Sequence, residues 1–225
     1  MIEKFNELRQ EFRTVFSGRT NTLDAVIPPL LYALMNMVAG LLPATFLALA
    51  LAALLMVLRL VRKQPWTYAF SGMVLTMLAA GLAWYTQNAA NFFLPGLISS
   101  GVLLIGAVIS NVLRKPLAAW SSHLSRAWPR EWYWLPEVRP AYSEVTWMWV
   151  VFIAARLFAQ FALYRQSNVG LIGVANILLG WPVTIIVLVI SYLYGSWRLR
   201  KLGGPSVEEF TTHQPPPWKG QTKGF

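Results

Sequence analysis

Charges set in apolar sequence are where this chain could do chemistry, because an ionisable group in hydrocarbon is costly and by default nominates a site. Arg156 is the clearest case, lying ten residues beyond Thr146 within the apolar stretch 146–164. Near a bilayer midplane, insertion scales put the cost of such a residue at about 2.5–3.5 kcal/mol. Gln160 follows one helical turn later on the same face. Asn36, Asn111 and Asn176 are the other strong hydrogen-bonding groups in apolar surroundings. Together these five residues form a candidate intramembrane polar site. No Asp or Glu falls clearly inside an apolar stretch, so the guanidinium requires carbonyls, amides, a water-filled cavity or an anionic lipid or solute as its counterion. Two readings stay open: Arg156 pins helices through hydrogen bonds, or it receives an anion or a lipid headgroup. Arg59, close to the end of its own stretch, is expected to snorkel.

Other chemistries lack their residues. The chain has no Cys, which removes disulfides, thiolate nucleophiles, iron–sulfur clusters and Cys-based zinc sites. His123 and His213 have no carboxylate cluster beside them and read as surface residues rather than metal ligands. Ser99 and Ser100 have no nearby base and no Gly-x-Ser-x-Gly elbow. Proton pumping normally uses a buried carboxylate or His relay, and neither is visible. The expectation is a protein that is not an enzyme, with no metal and no cofactor.

The elements that must position these residues follow from composition. Of 225 residues, 56% are hydrophobic and 12% charged, against about 25% charged in ordinary soluble domains. A bilayer core needs about 20 apolar residues per helix, and six stretches qualify or nearly do: 25–42, 43–61, 66–85, 92–113, 146–164 and 170–196. Gly40 and Pro43 divide the first two, since Pro is tolerated in a first helical turn. The predicted fold class is all-α, a polytopic membrane protein of six helices in three hairpins. Of the 19 Lys and Arg residues, 17 fall before the first stretch, in or beside the second connection (Arg59 at the end of its stretch), in the fourth connection or in the tail. That bias places both termini in the cytoplasm. The net charge of +10 is thereby accounted for without nucleic acid.

A shift of 52 aligns Asn36 with Asn88, Pro43 with Pro95, Arg62 with Arg114 and Lys63 with Lys115. Each unit reads as helix, uncharged turn, Pro-initiated return helix and an Arg-Lys stop before Pro65 or Pro116. The third hairpin is a looser copy in which Pro182 is expected to kink its helix. Residues 1–21 show Ile2, Phe5, Leu8, Phe12 and Phe16 at helical spacing, an amphipathic helix expected on the cytoplasmic leaflet. Residues 22–202 form the membrane domain. Within it the 114–145 loop carries Trp120, Trp128, Trp132 and Trp134, which with Arg62, Lys63, Arg114 and Lys115 make a candidate cytoplasmic interface; a belt of interfacial aromatic rings is expected there. Residues 203–225, with Pro215, Pro216 and Pro217, are expected to be disordered.

The residues Tyr142-Ser143-Glu144-Val145-Thr146-Trp147-Met148-Trp149, then Arg156-Leu157-Phe158-Ala159-Gln160, Leu163-Tyr164, Val169-Gly170-Leu171 and Gly180-Trp181-Pro182, resemble the C-terminal half of an uncharacterised polytopic membrane family best represented in actinobacteria. Pro28, Arg59-Leu60-Val61-Arg62 and Phe93-Leu94-Pro95-Gly96 extend the resemblance over roughly residues 22–200. Through Arg114-Lys115-Pro116-Leu117 and the Trp-rich approach to the next helix, the chain is also distantly similar to the intracellular septation protein A group. That resemblance implies a bacterial inner-membrane protein supporting cell-envelope or membrane-complex assembly. Its expected partners are anionic lipid headgroups and other membrane proteins, or a second copy of itself. The alternative expectation is a carrier or channel for a small anionic or lipid-like solute centred on Arg156.

Overall fold

A computed structural model describes residues 22–221 and 224–225, apart from the side chains of residues 22–27, Tyr68 and Trp181. The expected amphipathic helix at 1–21 lies outside the described residues. Among those described, the chain is all-helical with no strand. The helices are α1 (Thr22–Ala39), α2 (Leu41–Val61), α3 (Trp66–Tyr85), a short 3-10 helix (Ala89–Phe93), α4 (Leu94–Val112), α5 (Leu117–Arg126), α6 (Arg130–Tyr133), α7 (Arg139–Arg165), α8 (Val169–Leu178), α9 (Trp181–Leu202) and α10 (Val207–Thr211).

Four segments are long and apolar enough to cross a membrane: Leu41–Val61, Ala89–Val112, Arg139–Arg165 and Val169–Leu202. Pro28–Ala39 and Ala69–Tyr85 are apolar but shorter. The stretch expected as one sixth helix is divided by a turn at 179–180 into α8 and α9. Pro182 consequently stands in the first turn of α9, where its missing N–H has no helical partner to lose. The expected mid-helix kink is therefore corrected to a helix start. Pro43 and Pro95 do occupy the first turns of α2 and α4.

The chain divides into two compact units. The first takes the described residues up to Pro95 together with Leu163–Ile177. Small side chains set its packing: Ala44 and Ala48 on α2 and Ala79, Ala80 and Ala83 on α3 are buried, and short side chains let backbones approach closely. Gly173 on α8 meets Ala33 on α1, where an added Cβ would come within 2.5 Å of the alanine methyl. Gly40, at φ 82°, adopts the left-handed backbone that joins α1 to α2. At the start of the 3-10 helix the ring of Tyr32 stacks on Phe92 at 3.8 Å, and its hydroxyl donates to the Ala89 carbonyl at 3.1 Å. The Tyr164 hydroxyl donates to the Asn91 side chain.

Equivalent backbone turns mark the two Arg-Lys stops. Lys63 (φ 54°) and Arg114 (φ 58°) are left-handed. Each sits in the pair of reversed hydrogen bonds that closes a helix: Lys63 N–H to Leu60 O and Gln64 N–H to Arg59 O, then Arg114 N–H to Asn111 O and Lys115 N–H to Ser110 O. Pro65 and Pro116 then cap α3 and α5 in extended backbone. The structural equivalence pairs Lys63 with Arg114, one register from the alignment of Arg62 with Arg114.

The second unit comprises Gly96–Ala162 and Leu178–Phe225. Its 114–145 segment is not a loop. It folds into α5, α6 and the first turns of α7. The described tail residues, expected to be disordered, are also folded: Gly203 (φ 66°) ends α9, Ser206 caps α10, and Phe225 packs into the aromatic core. Pro-rich composition hid this order, since Val207, Phe210 and Phe225 supply the apolar contacts and one carboxylate supplies the rest.

Candidate functional site

At the end of the second unit where α5, α6 and the tail meet α7 and α9, aromatic rings form a cap. Trp132 and Tyr133 are fully buried. Trp132 lies edge-on to Trp128, Tyr133 and Tyr142 at 5.4, 5.1 and 6.2 Å, and its indole N–H donates to the Pro205 carbonyl at 2.9 Å. Such pairs add to the burial of large rings and account for a core built from so few residues. The expected interfacial belt is thus corrected for Trp132, while Trp120, Trp128 and Trp134 are half-buried around it. Ala127 (φ 55°) turns the chain from α5 into α6, and His123 Nδ1 donates to the Trp128 carbonyl at 2.6 Å. Burial raises the Tyr133 phenol above its ordinary range, partly offset by its hydrogen bond to Ser122 Oγ at 3.0 Å.

The tail is seated by several unrelated contacts. Phe225 stacks on Tyr142 with ring centroids 4.3 Å apart, and a Cβ at Gly195 would come within 2.4 Å of the phenylalanine ring. Gly195 therefore makes the slot. Arg126 Nε donates to the Phe225 carbonyl at 3.1 Å while its guanidinium lies over Trp128. Glu209 gathers the returning strand: its carboxylate accepts from the backbone N–H groups of Ser206, Lys219 and Gly220 at 2.8, 2.7 and 3.3 Å. Those donors, the Ser206 amide foremost, hold its carboxyl down to about 2.

Side-chain bonds fasten the cap to the helices below. Thr146 Oγ1 accepts from Ala118 N–H at 3.2 Å and donates to the Tyr142 carbonyl at 2.8 Å. Asn111 and Ser143 exchange two bonds, Asn111 Nδ2 to Ser143 O at 3.1 Å and Ser143 Oγ to Asn111 Oδ1 at 2.8 Å. Glu144, next in sequence, accepts from Arg198 Nε at 2.8 Å, Arg198 Nη2 at 2.9 Å and the Tyr194 hydroxyl at 2.7 Å. A forked guanidinium–carboxylate pair of this kind is stronger than a single ionic contact. The apolar stretch 146–164 holds no acid, but α7 starts earlier than expected and carries Glu144 just ahead of that stretch.

Arg156, three turns further along α7, differs. It is half-buried, and its Nε is enclosed without a hydrogen-bond partner. Gln160, one turn on, is buried. The proposed polar cluster does not gather within one unit: Asn36 and Asn176 belong to the first, whereas Asn111, Arg156 and Gln160 belong to the second, with Asn111 engaged by Ser143. Arg62, Lys63, Arg114 and Lys115 are all exposed at the two helix stops. Arg59 is buried against Gly72 rather than extended outward.

Sequence reasoning missed the Glu144–Tyr194–Arg198 group because its members lie 50 and 54 residues apart. The available signal was Tyr194 and Arg198 at a four-residue spacing on one helix face. No group of three or more potential metal-binding His, Asp or Glu residues occurs among the described residues.

Comparison with curated proteins and with solved structures finds no match. A family model described as "Protein of unknown function (DUF3159)" matches residues 16–199, ending just before the tail that completes the cap. The expected membership of an uncharacterised family is met; the actinobacterial association and the likeness to the septation protein A group have no counterpart in this match. Since the match covers most of the chain, this protein belongs to the DUF3159 family, whose function is unknown.

Proposed function

We propose that the chain is a non-enzymatic, multi-pass protein of the bacterial inner membrane that organises or supports a membrane or cell-envelope complex, a role of the kind borne by septation protein A-like proteins. The observation that carries this reading is the cap. Aromatic side chains and a returning tail build a packed surface over the ends of α7 and α9, and no constellation for catalysis accompanies it among the described residues. Exposed basic residues at the helix stops, Arg62, Lys63, Arg114 and Lys115, suit anionic headgroups. In this reading the chain has six crossings in three hairpins, with the cap and both termini in the cytoplasm. The charge bias supports it, since 17 of 19 Lys and Arg residues fall on that side.

The test is crosslinking of the full-length chain in its native membranes, followed by purification and identification of its neighbours. Leu124, 81% exposed on the cap, provides the control, because Leu124→Glu alters the surface without touching the core. A defined set of membrane proteins lost in Leu124→Glu, with unchanged thermal stability, is expected. An identical neighbour set for both forms would overturn the proposal.

A further inference from the structure

A guanidinium keeps its charge at any accessible pH, so within an apolar helix Arg156 requires an anion, a set of acceptors or water. The long helices of its own unit supply no free carboxylate. No carboxylate occurs on α4 or α9, and α7 carries only Glu144. Glu144 is twelve residues away, about 18 Å along the helix at 1.5 Å per residue, and is occupied by Arg198 and Tyr194. Arg156 makes no hydrogen bond or ion pair with any described residue, and Nε is enclosed while the residue as a whole remains half-exposed. The forked end of the side chain therefore reaches the molecular surface.

Leu157 packs against α4 at Gly101, where an added Cβ would just touch it at 4.0 Å. Gly96 and Gly106, five residues either side of Gly101 and on other faces of α4, have nothing within 4 Å of an added Cβ. The hydroxyls of Ser99 and Ser100 both donate to the Gly96 carbonyl. This level of α4 is thin and carries no acid.

We infer that Arg156 is the binding residue for a phosphate-type oxyanion, whose paired oxygens match the fork of the guanidinium. Two sources share that chemistry: the headgroup of an anionic phospholipid packed beside α4 and α7, and a free phosphate entering from water. The site is independent of the cap and of the role proposed for it.

The experiment measures thermal unfolding of the full-length protein, purified in neutral detergent and stripped of lipid. The additions are phosphatidylglycerol, diacylglycerol lacking the phosphate, or inorganic phosphate. A ligand that binds only the folded state raises its midpoint by mass action. Wild type is expected to gain about 5 °C or more at saturation, and Arg156→Gln to keep its unliganded midpoint but lose that gain. Arg156→Lys should keep part of it. A gain with phosphatidylglycerol alone assigns the headgroup, and a gain with inorganic phosphate alone assigns the free anion. Should Arg156→Gln fail to fold, native mass spectrometry of wild type and Arg156→Lys decides through the fraction carrying phospholipid or phosphate. No phosphate-dependent gain in wild type, or an equal gain in Arg156→Gln, would overturn the inference.

Discussion

Two of the arginines that the second unit carries on its long apolar helices, Arg198 and Arg156, are treated in opposite ways. Arg198 meets a carboxylate through a two-pronged contact and shares it with a tyrosine. Arg156 makes no hydrogen bond or ion pair with any described residue. Other polar groups at this end are paired in the same way: Asn111 answers Ser143, Thr146 answers Ala118, and Glu209 collects three amides. Buried polar groups in folded proteins are ordinarily paired, so the capped end shows what this sequence does when a polar side chain serves structure. Arg156 Nε departs from that rule, as do the buried hydroxyls of Tyr142, Ser191 and Ser196, and of these four groups it alone carries a charge.

The largest effect should come from removing the centre of the capped end. Trp132→Ala deletes a fully buried ring and its bond to Pro205, and large-to-small changes of this kind cost about 3–5 kcal/mol. Chemical unfolding in detergent should show a loss of that order; a loss below about 1 kcal/mol would mean that the cap is not a core.

Next comes the tail slot. Gly195→Leu forces a side chain into the space of the Phe225 ring, so the tail must lift even if the helices hold. Overpacking typically costs about 1–3 kcal/mol. Proteolysis near Lys219 should accelerate severalfold, whereas an unchanged cutting rate would show that Phe225 is not seated there.

Glu209 gives a smaller, pH-dependent effect. Its carboxyl is held down to about 2 in the folded cap against an ordinary value of 4.5. The charged form is the favoured one, so its contribution is present in full above pH 4.5 and disappears as pH falls toward 2. Hydrogen exchange at the Lys219 and Gly220 amides should stay slow down to about pH 4.5 and lose protection below it, after correction for intrinsic rates. Glu209→Gln should remove most of this pH dependence. Protection indifferent to pH in wild type would contradict the bonding.

Pro182→Ala should do least. In a first turn it breaks no helical bond, so a stability change within about 0.5 kcal/mol is expected. A drop of several kcal/mol would restore Pro182 to the interior of a longer helix.

Legibility followed the range of the interactions. The helix starts at Pro43 and Pro95 and the stops at Lys63 and Arg114 were readable because local backbone chemistry sets them. The division of 170–196 was not, since apolar composition continues through Leu179 and Gly180 and only the turn reveals two helices. The cap escaped for a different reason. Trp132 could be a membrane-surface ring or a core ring on composition alone, and its partner Pro205 lies 73 residues away. Arg156 was conspicuous as a lone charge; the finding that it lacks partners required Glu144 to be located and seen to be occupied.

The comparison of the two arginines is tested most directly by replacing each with Met, the nearest apolar shape, in lipid-stripped, phosphate-free detergent. Removing one member of an ion pair strands the other, so Arg198→Met should unfold at a lower temperature than wild type. Arg156→Met should unfold at the same temperature or a higher one. An Arg156→Met midpoint lowered as far as that of Arg198→Met would contradict the account, because the charge would then be serving the fold.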